Sequence, residues 1–110
     1  MKIEQNTNQT IIKDTLGDFE LFLEKLPNEL YNLRTQNVVI DLTENSKVSN
    51  ATIKHFVSIS KLHKKNKKSF VIVASGIDFT AVPAALTVVP SIIEAKDIIE
   101  LEEMERDLGF

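Results

Sequence analysis

Apolar residues recur along this chain with two different spacings, and the switches between them mark the elements. Near the start, "KIEQ" and "TIIKD" are short extended stretches around "NTNQ". Asn and Thr side chains bond their own backbone and favour a turn, so the pattern predicts a hairpin. From Asp18 onward, Phe19, Phe22, Leu23, Leu26, Leu30 and Leu33 gather on one face of a helix. Pro27 lies inside that run. Proline removes an amide donor and clashes with the carbonyl four residues back, so the expectation is a kinked helix or two short ones meeting at Leu26.

"NVVIDLT" (37 to 43) is β-branched and apolar on both sides, the signature of a central strand covered on both faces. Next, Ile53, Phe56, Val57 and Ser60 share a face while Lys54, His55, Lys61, Lys64 and Lys65 point elsewhere. The result is an amphipathic helix whose last lysines complement the negative end of its dipole. "SFVIVAS" (69 to 75) repeats the buried-strand signature. Strand, helix and strand of these lengths make a right-handed parallel βαβ unit.

After Gly76, "DFTAVPAA" reads as a short helix or irregular turn and "LTVV" (86 to 89) as a short last strand. Ser91 and Glu94 form an S-x-x-E capping box that opens a final helix. Its inner face is expected to be Ile92, Ala95, Ile98, Ile99 and Met104, with the remaining carboxylates in water and Gly109 as the stop. The predicted fold is therefore α/β: a single domain over 1–110, a mixed sheet with an N-terminal hairpin and a parallel βαβ core, and helices packed on the sheet.

Composition adds boundaries. A chain of 110 residues that is 43% apolar and 26% charged can build one core, and neither a disordered nor a fibrous reading is favoured. With no cysteine there is no disulfide, no thiolate nucleophile and no zinc-thiolate site, which suits a reducing compartment. The N-terminus lacks a signal-peptide core, and no stretch approaches the ~20 apolar residues that span a bilayer. A soluble cytoplasmic protein without membrane insertion is expected. The net charge of -3 hides an asymmetry: "KLHKKNKK" (61 to 68) is basic, whereas Glu94, Asp97, Glu100, Glu102, Glu103, Glu105 and Asp107 make the C-terminal segment acidic. The two patches complement each other within one molecule or permit a homo-oligomer.

The order of elements, read with "VVIDLTENSKVSNATIKHFVSISKLHKKNKKSFVIVAS", resembles the STAS domain of anti-sigma factor antagonists over roughly residues 3 to 105. In that family a buried strand ending like Val-Ile-Asp-Leu leads into a loop carrying Asp-Ser-Ser-Gly-Leu or a close variant, then a helix and another buried strand. Val39, Ile40, Asp41 and Leu42 match the strand, and "SIIEAKDII" (91 to 99) is similar to the family's Thr-x-x-Glu-Ala start of the last helix. The resemblance implies a STAS-like fold and a regulatory protein-protein interaction.

It does not carry the phospho-switch across. With Ile53 set on the motif leucine, Ser49 stands for the aspartate, Asn50 for the first serine, Ala51 for the phosphorylated serine or threonine, and Thr52 for the glycine. Alanine has no hydroxyl to phosphorylate. Sliding the motif by one brings Thr52 to the acceptor position but puts Lys54 where the buried leucine belongs, and an unpaired buried lysine costs several kcal/mol. Ser49 or Asn50 is then a helix cap, worth ~1 kcal/mol against alanine.

Other chemistry has weaker support in the residues. His55 and His63, eight apart in one expected helix, are ~12 Å apart along its axis, too far for one metal, and both sit among lysines on a wet face. Some chains resembling this one bear the name ribonuclease Z, but that enzyme's His-x-His-x-Asp-His cluster is missing, so neither its metal nor its activity is carried over. The acidic face of the last helix lacks a neighbouring group of fixed role. Asp41 and Asp78 follow strands at the end where ligands bind in open α/β sheets, which leaves a small enzyme or ligand carrier working near Asp41, Ser75 and Asp78 as an alternative. A nucleic-acid accessory protein is the third reading, although "KLHKKNKK" has no interleaved aromatics to stack bases. The expected function is a non-catalytic interaction module with no cofactor, binding a protein partner through Ser49, Asn50, Ala51, Thr52, Lys54 and His55.

Overall fold

The computed structural model describes residues 1–15, 17–45 and 47–109. Strands β1 (Lys2–Gln5) and β2 (Gln9–Lys13) form the expected antiparallel hairpin. Helix α1 (Phe19–Asn32) follows, capped by Asp18, whose carboxylate accepts from the Leu21 amide. Then come β3 (Asn37–Asp41), α2 (Asn50–Ile53), a 3-10 turn (Lys54–Phe56), α3 (Val57–Lys64) and β4 (Phe70–Val73). A second 3-10 turn (Phe79–Ala81), β5 (Thr87–Val89) and α4 (Ile92–Asp107) complete the order.

The five strands lie in the order β1-β2-β3-β4-β5, with β2 to β5 parallel and β1 the antiparallel edge. The α/β class, the hairpin, the parallel βαβ core and the central place of β3 are as the apolar pattern predicts. Successive residues of the central strands feed two different cores, which is why those strands show no polar alternation. Ile12, Val38, Ile40, Phe70 and Ile72 point to one face and pack with Phe22, Leu26 and Leu30 of α1 and with Ile53 and Phe56. Ile11, Val39, Val71 and Val73 point to the other and meet Ala95 and Ile99 of α4.

Two local expectations need correction, and a third is narrowed to one of its alternatives. α1 runs as one helix through Pro27 rather than two meeting at Leu26, because Phe22, Leu26 and Leu30 are buried in a continuous row while Pro27 itself faces solvent. Apolar burial on that row offsets one lost helical hydrogen bond. β3 ends at Asp41 rather than Thr43, because the Asp41 side chain draws the chain into a turn: Oδ1 accepts from the Thr43 amide at 3.0 Å and from its hydroxyl at 2.6 Å. The segment after the loop is wound as α, 3-10, α instead of one uniform helix.

That 3-10 turn sets what faces the core. A 3-10 residue turns the chain by ~120° against ~100° in an α-helix, so three of them advance the following face by ~60°. Phe56 therefore eclipses Ile53, and both are fully buried. Ser60 and His63 follow at i+7 and i+10 from Ile53 and continue the same buried face, with Lys64 half-buried at its margin. His63, expected on a wet face with His55, is 3% exposed and tilts against Phe70 at 6.0 Å between ring centroids.

Candidate functional site

Residues 43–45 and 47–49 and the start of α2 sit at the C-terminal end of the parallel strands, where the resemblance would place the switch. Ser49 is the N-cap of α2. Its hydroxyl accepts from the Thr52 amide at 3.4 Å, and the Thr52 hydroxyl accepts from the Ser49 amide at 2.8 Å, a reciprocal capping box. The Thr52 hydroxyl also donates to the Ser49 carbonyl at 2.8 Å. Asn50 turns its amide across to the next loop, donating to the Asp78 carbonyl at 2.7 Å and accepting from the Asp78 amide at 2.9 Å. Ala51, Lys54 and His55 are exposed. His55 lies over Phe19 at 6.4 Å between ring centroids, and Phe19 in turn meets Phe56 edge-on at 5.7 Å, so the start of α1 buttresses this segment.

Of the six residues expected to form a binding surface, Ser49, Asn50 and Thr52 thus turn their polar groups to internal structure, while Ala51, Lys54 and His55 face outward. Of the two caps offered for the hinge, Ser49 or Asn50, Ser49 is the one used, and the reciprocal box expected at Ser91 and Glu94 is formed at Ser49 and Thr52. At Ser91 the hydroxyl accepts from the Glu94 amide.

Asp41 and Asp78 share one local design. Each is followed two residues later by threonine, and each Oδ1 accepts from that threonine's amide at 3.0 Å and hydroxyl at 2.6 Å. The repeated Asp-x-Thr was present in the sequence as a signal for this turn. At Asp78 these bonds, the hydroxyl's first and the amide's second, hold the carboxyl below its ordinary value. Asp41 is buried and Asp78 exposed. Ser75 is exposed after β4. Beside Asp41, Asp14 is buried and accepts from Asn45 Nδ2 at 3.1 Å, while the Asp14 amide donates to the Asp41 carbonyl at 3.0 Å. A cavity of about 200 Å3 opens there, lined by Asp14, Thr15, Gly17, Glu44, Asn45 and Lys47. Among the described residues no group of three His, Cys, Asp or Glu side chains is placed to hold a metal ion.

A second polar cluster lies at the opposite end of the sheet and was missed in the sequence. Buried Asn37 accepts from the buried Ser69 amide at 2.9 Å through Oδ1, and its Nδ2 donates to the Asn8 carbonyl at 3.0 Å and to Glu103 at 2.5 Å. Ser69 donates its hydroxyl to Glu102 at 2.5 Å, and Arg106 reaches both Ser69 Oγ at 3.2 Å and Asn37 Oδ1 at 3.3 Å. Glu102 and Glu103 therefore do not face open water as expected; they are half-buried and tie α4 to the sheet. Met104, expected on the inner face, is 57% exposed instead, because Glu103 and Arg106 occupy that face in the last turns. Lys64, Lys67 and Lys68 border a cavity of about 540 Å3 together with Glu102, Glu105 and Arg106, so the basic and acidic segments do meet within one molecule.

His63 is the other group that the pattern misplaced. Its Nε2 lies 2.8 Å from the Gln36 carbonyl, which can only accept, so that nitrogen carries the proton. Burial lowers the pKa of His63, partly opposed by this bond. Thr10 donates its hydroxyl to the Gln36 side chain, linking the same corner to β2.

Compared with known proteins, the chain matches no protein-family model and no curated protein. No helix among the described residues is long and apolar enough to cross a membrane.

Proposed function

We propose that this chain is a non-catalytic, STAS-like interaction module that works in the cytoplasm and binds a regulatory protein partner through the surface from Ser49 to Ser60, without a phospho-switch. The observation that carries the reading is Ala51: it stands exposed in the first turn of α2, between Asn50 and Thr52, whose polar groups are already engaged. Burial of Ile53 beside exposed Lys54 favours the register that puts Ala51 at the acceptor position. A hinge whose hydroxyls serve its own backbone is a rigid, pre-shaped patch, and little ordering cost is left to be met on binding. One oxygen of each of Asp41 and Asp78 is held by its own threonine, which argues against their use as a free general base. The lysines that would serve a nucleic acid share their cavity with two carboxylates.

Two measurements test the reading. Incubation with the kinases of its own cell, followed by mass spectrometry, should leave Ser49 and Thr52 unmodified; stoichiometric phosphate on either would overturn it. Affinity purification from that cell should retain a protein that a Lys54→Glu variant loses. If wild type and variant retain the same proteins, the binding face lies elsewhere.

A further inference from the structure

Two apolar surfaces remain open on this molecule, one on each side of the sheet. On α4, Ile93, Leu101, Met104 and Leu108 are all exposed. At 3.6 residues per turn they fall within an arc of ~80°, opposite the face that buries Ala95 and Ile99. Leu101, Met104 and Leu108 have the i, i+3, i+7 spacing by which a helix anchors itself in a groove. Asp97 lies within the stripe, and Glu94 and Glu105 on one side and Glu100 and Asp107 on the other border it.

The second surface is a groove of about 440 Å3 between α1 and α3, walled by Leu30, Tyr31, Ile59 and Leu62. Tyr31 and Leu62 are each 66% exposed. The charged side chains on its lining are Arg34 and Lys65, with no carboxylate among the described lining residues. Arg34 is held in place, its guanidinium 4.4 Å from the Tyr31 ring centroid and its Nη1 donating to the Tyr31 carbonyl at 2.8 Å. Of the eight large apolar side chains exposed among the described residues, six belong to these two surfaces. Surface of this kind, concentrated and rimmed by charge, marks an interaction site.

We infer that the occupant of the groove is α4 of a second copy of this chain. The chemistry matches: an acid-bordered apolar ridge meets a cation-rimmed apolar trough. Pairing of α4 with α4 would instead set two acidic borders against each other. Because trough and ridge lie on opposite faces of one sheet, a molecule does not fill its own groove. The contact is heterologous, and repeating it gives a chain of copies or a ring rather than a closed two-fold dimer. With so small a trough the association is weak, and salt weakens it further. The groove shares Ser58 and Ile59 with the end of the Ser49 to Ser60 surface, whereas Lys54 and the capping residues lie outside its lining.

Sedimentation of the full chain tests the inference with two variants, Leu62→Glu in the groove and Met104→Glu on the ridge. Both positions are exposed, and unchanged circular dichroism verifies the fold. The wild-type mass should rise with concentration and fall with added salt. Each variant alone should show association weakened at least about tenfold. An equimolar mixture should form a one-to-one complex and stop there, because the Leu62→Glu molecule offers a sound ridge and the Met104→Glu molecule a sound groove. A wild type that stays monomeric at every concentration overturns the inference. So does a dimer lost in Met104→Glu but kept in Leu62→Glu, which would mean α4 pairing with itself. A mixture that forms no complex also overturns it.

Discussion

Asn50 and Asp78, twenty-eight positions apart, exchange two hydrogen bonds: the side-chain amide of one grips both the carbonyl and the amide of the other's backbone. The loop after β3 and the loop after β4 are thereby locked together at the C-terminal end of the sheet. Asn50→Ala should release both. We expect a loss of about 1–2 kcal/mol in urea denaturation, the net worth of two partly exposed bonds, with faster hydrogen exchange at the Asp78 amide. Unchanged exchange at that amide would mean that the clamp does not form in solution.

Asn37→Ala should be the more damaging change at the other end of the sheet. It leaves the buried Ser69 amide without its acceptor and takes one donor from Glu103. A buried group left unpaired costs about 1–3 kcal/mol, and the midpoint of denaturation should fall accordingly. A Glu103→Gln variant keeps a side-chain acceptor for Asn37 and should lose less.

His63 gives the fold a pH dependence of definite sign. Its folded-state pKa is lowered by burial from the ordinary value of 6.5, so the unfolded chain binds more protons below that value. Stability is then full above pH ~6.5 and declines as pH falls from there toward the folded-state value, by at most ~1.4 kcal/mol per pH unit for one proton. His63→Gln retains a donor for the Gln36 carbonyl and should flatten the slope between about pH 7 and pH 5. Denaturation curves across that range for the two proteins decide the matter.

Pro27→Ala should stabilise the protein. The proline is exposed within α1, and replacing it restores a helical amide donor and relieves the clash with the preceding turn. The intrinsic difference is about 3 kcal/mol, reduced because proline also restricts the unfolded chain. A gain of about 1 kcal/mol or more in denaturant titration is expected, with the α1 helix unchanged.

How far the pattern alone led can be seen at particular residues. β-branched runs and turn chemistry located every strand, because a segment buried on two faces has few other solutions. The cap was legible as a choice between Ser49 and Asn50, since such a side chain satisfies a backbone group three residues away, whereas the part Thr52 plays in the box was not. His63 and Glu103 were misread. The first lies ten residues after Ile53 and seven after Phe56, a spacing that does put it on the buried face, but the lysines on either side of it suggested a wet one. The second depends on Asn37, sixty-six positions earlier in the chain, arriving beneath the last helix. Long-range polar contacts leave no local trace in a sequence. Pro27 shows the converse: of the two outcomes its local signal allowed, three buried side chains select the single helix.

The two margins of the sheet carry a last consequence. An outer strand shows unpaired amides and carbonyls that invite strand addition and amyloid-like stacking. On β1, Lys2 and Glu4 pair across 3.3 Å and put both signs of charge on that rim. At the far side, β5 is only three residues long and runs into Pro90. Both rims are blunted, so aggregation by strand capture is guarded against even though the helical faces are left bare.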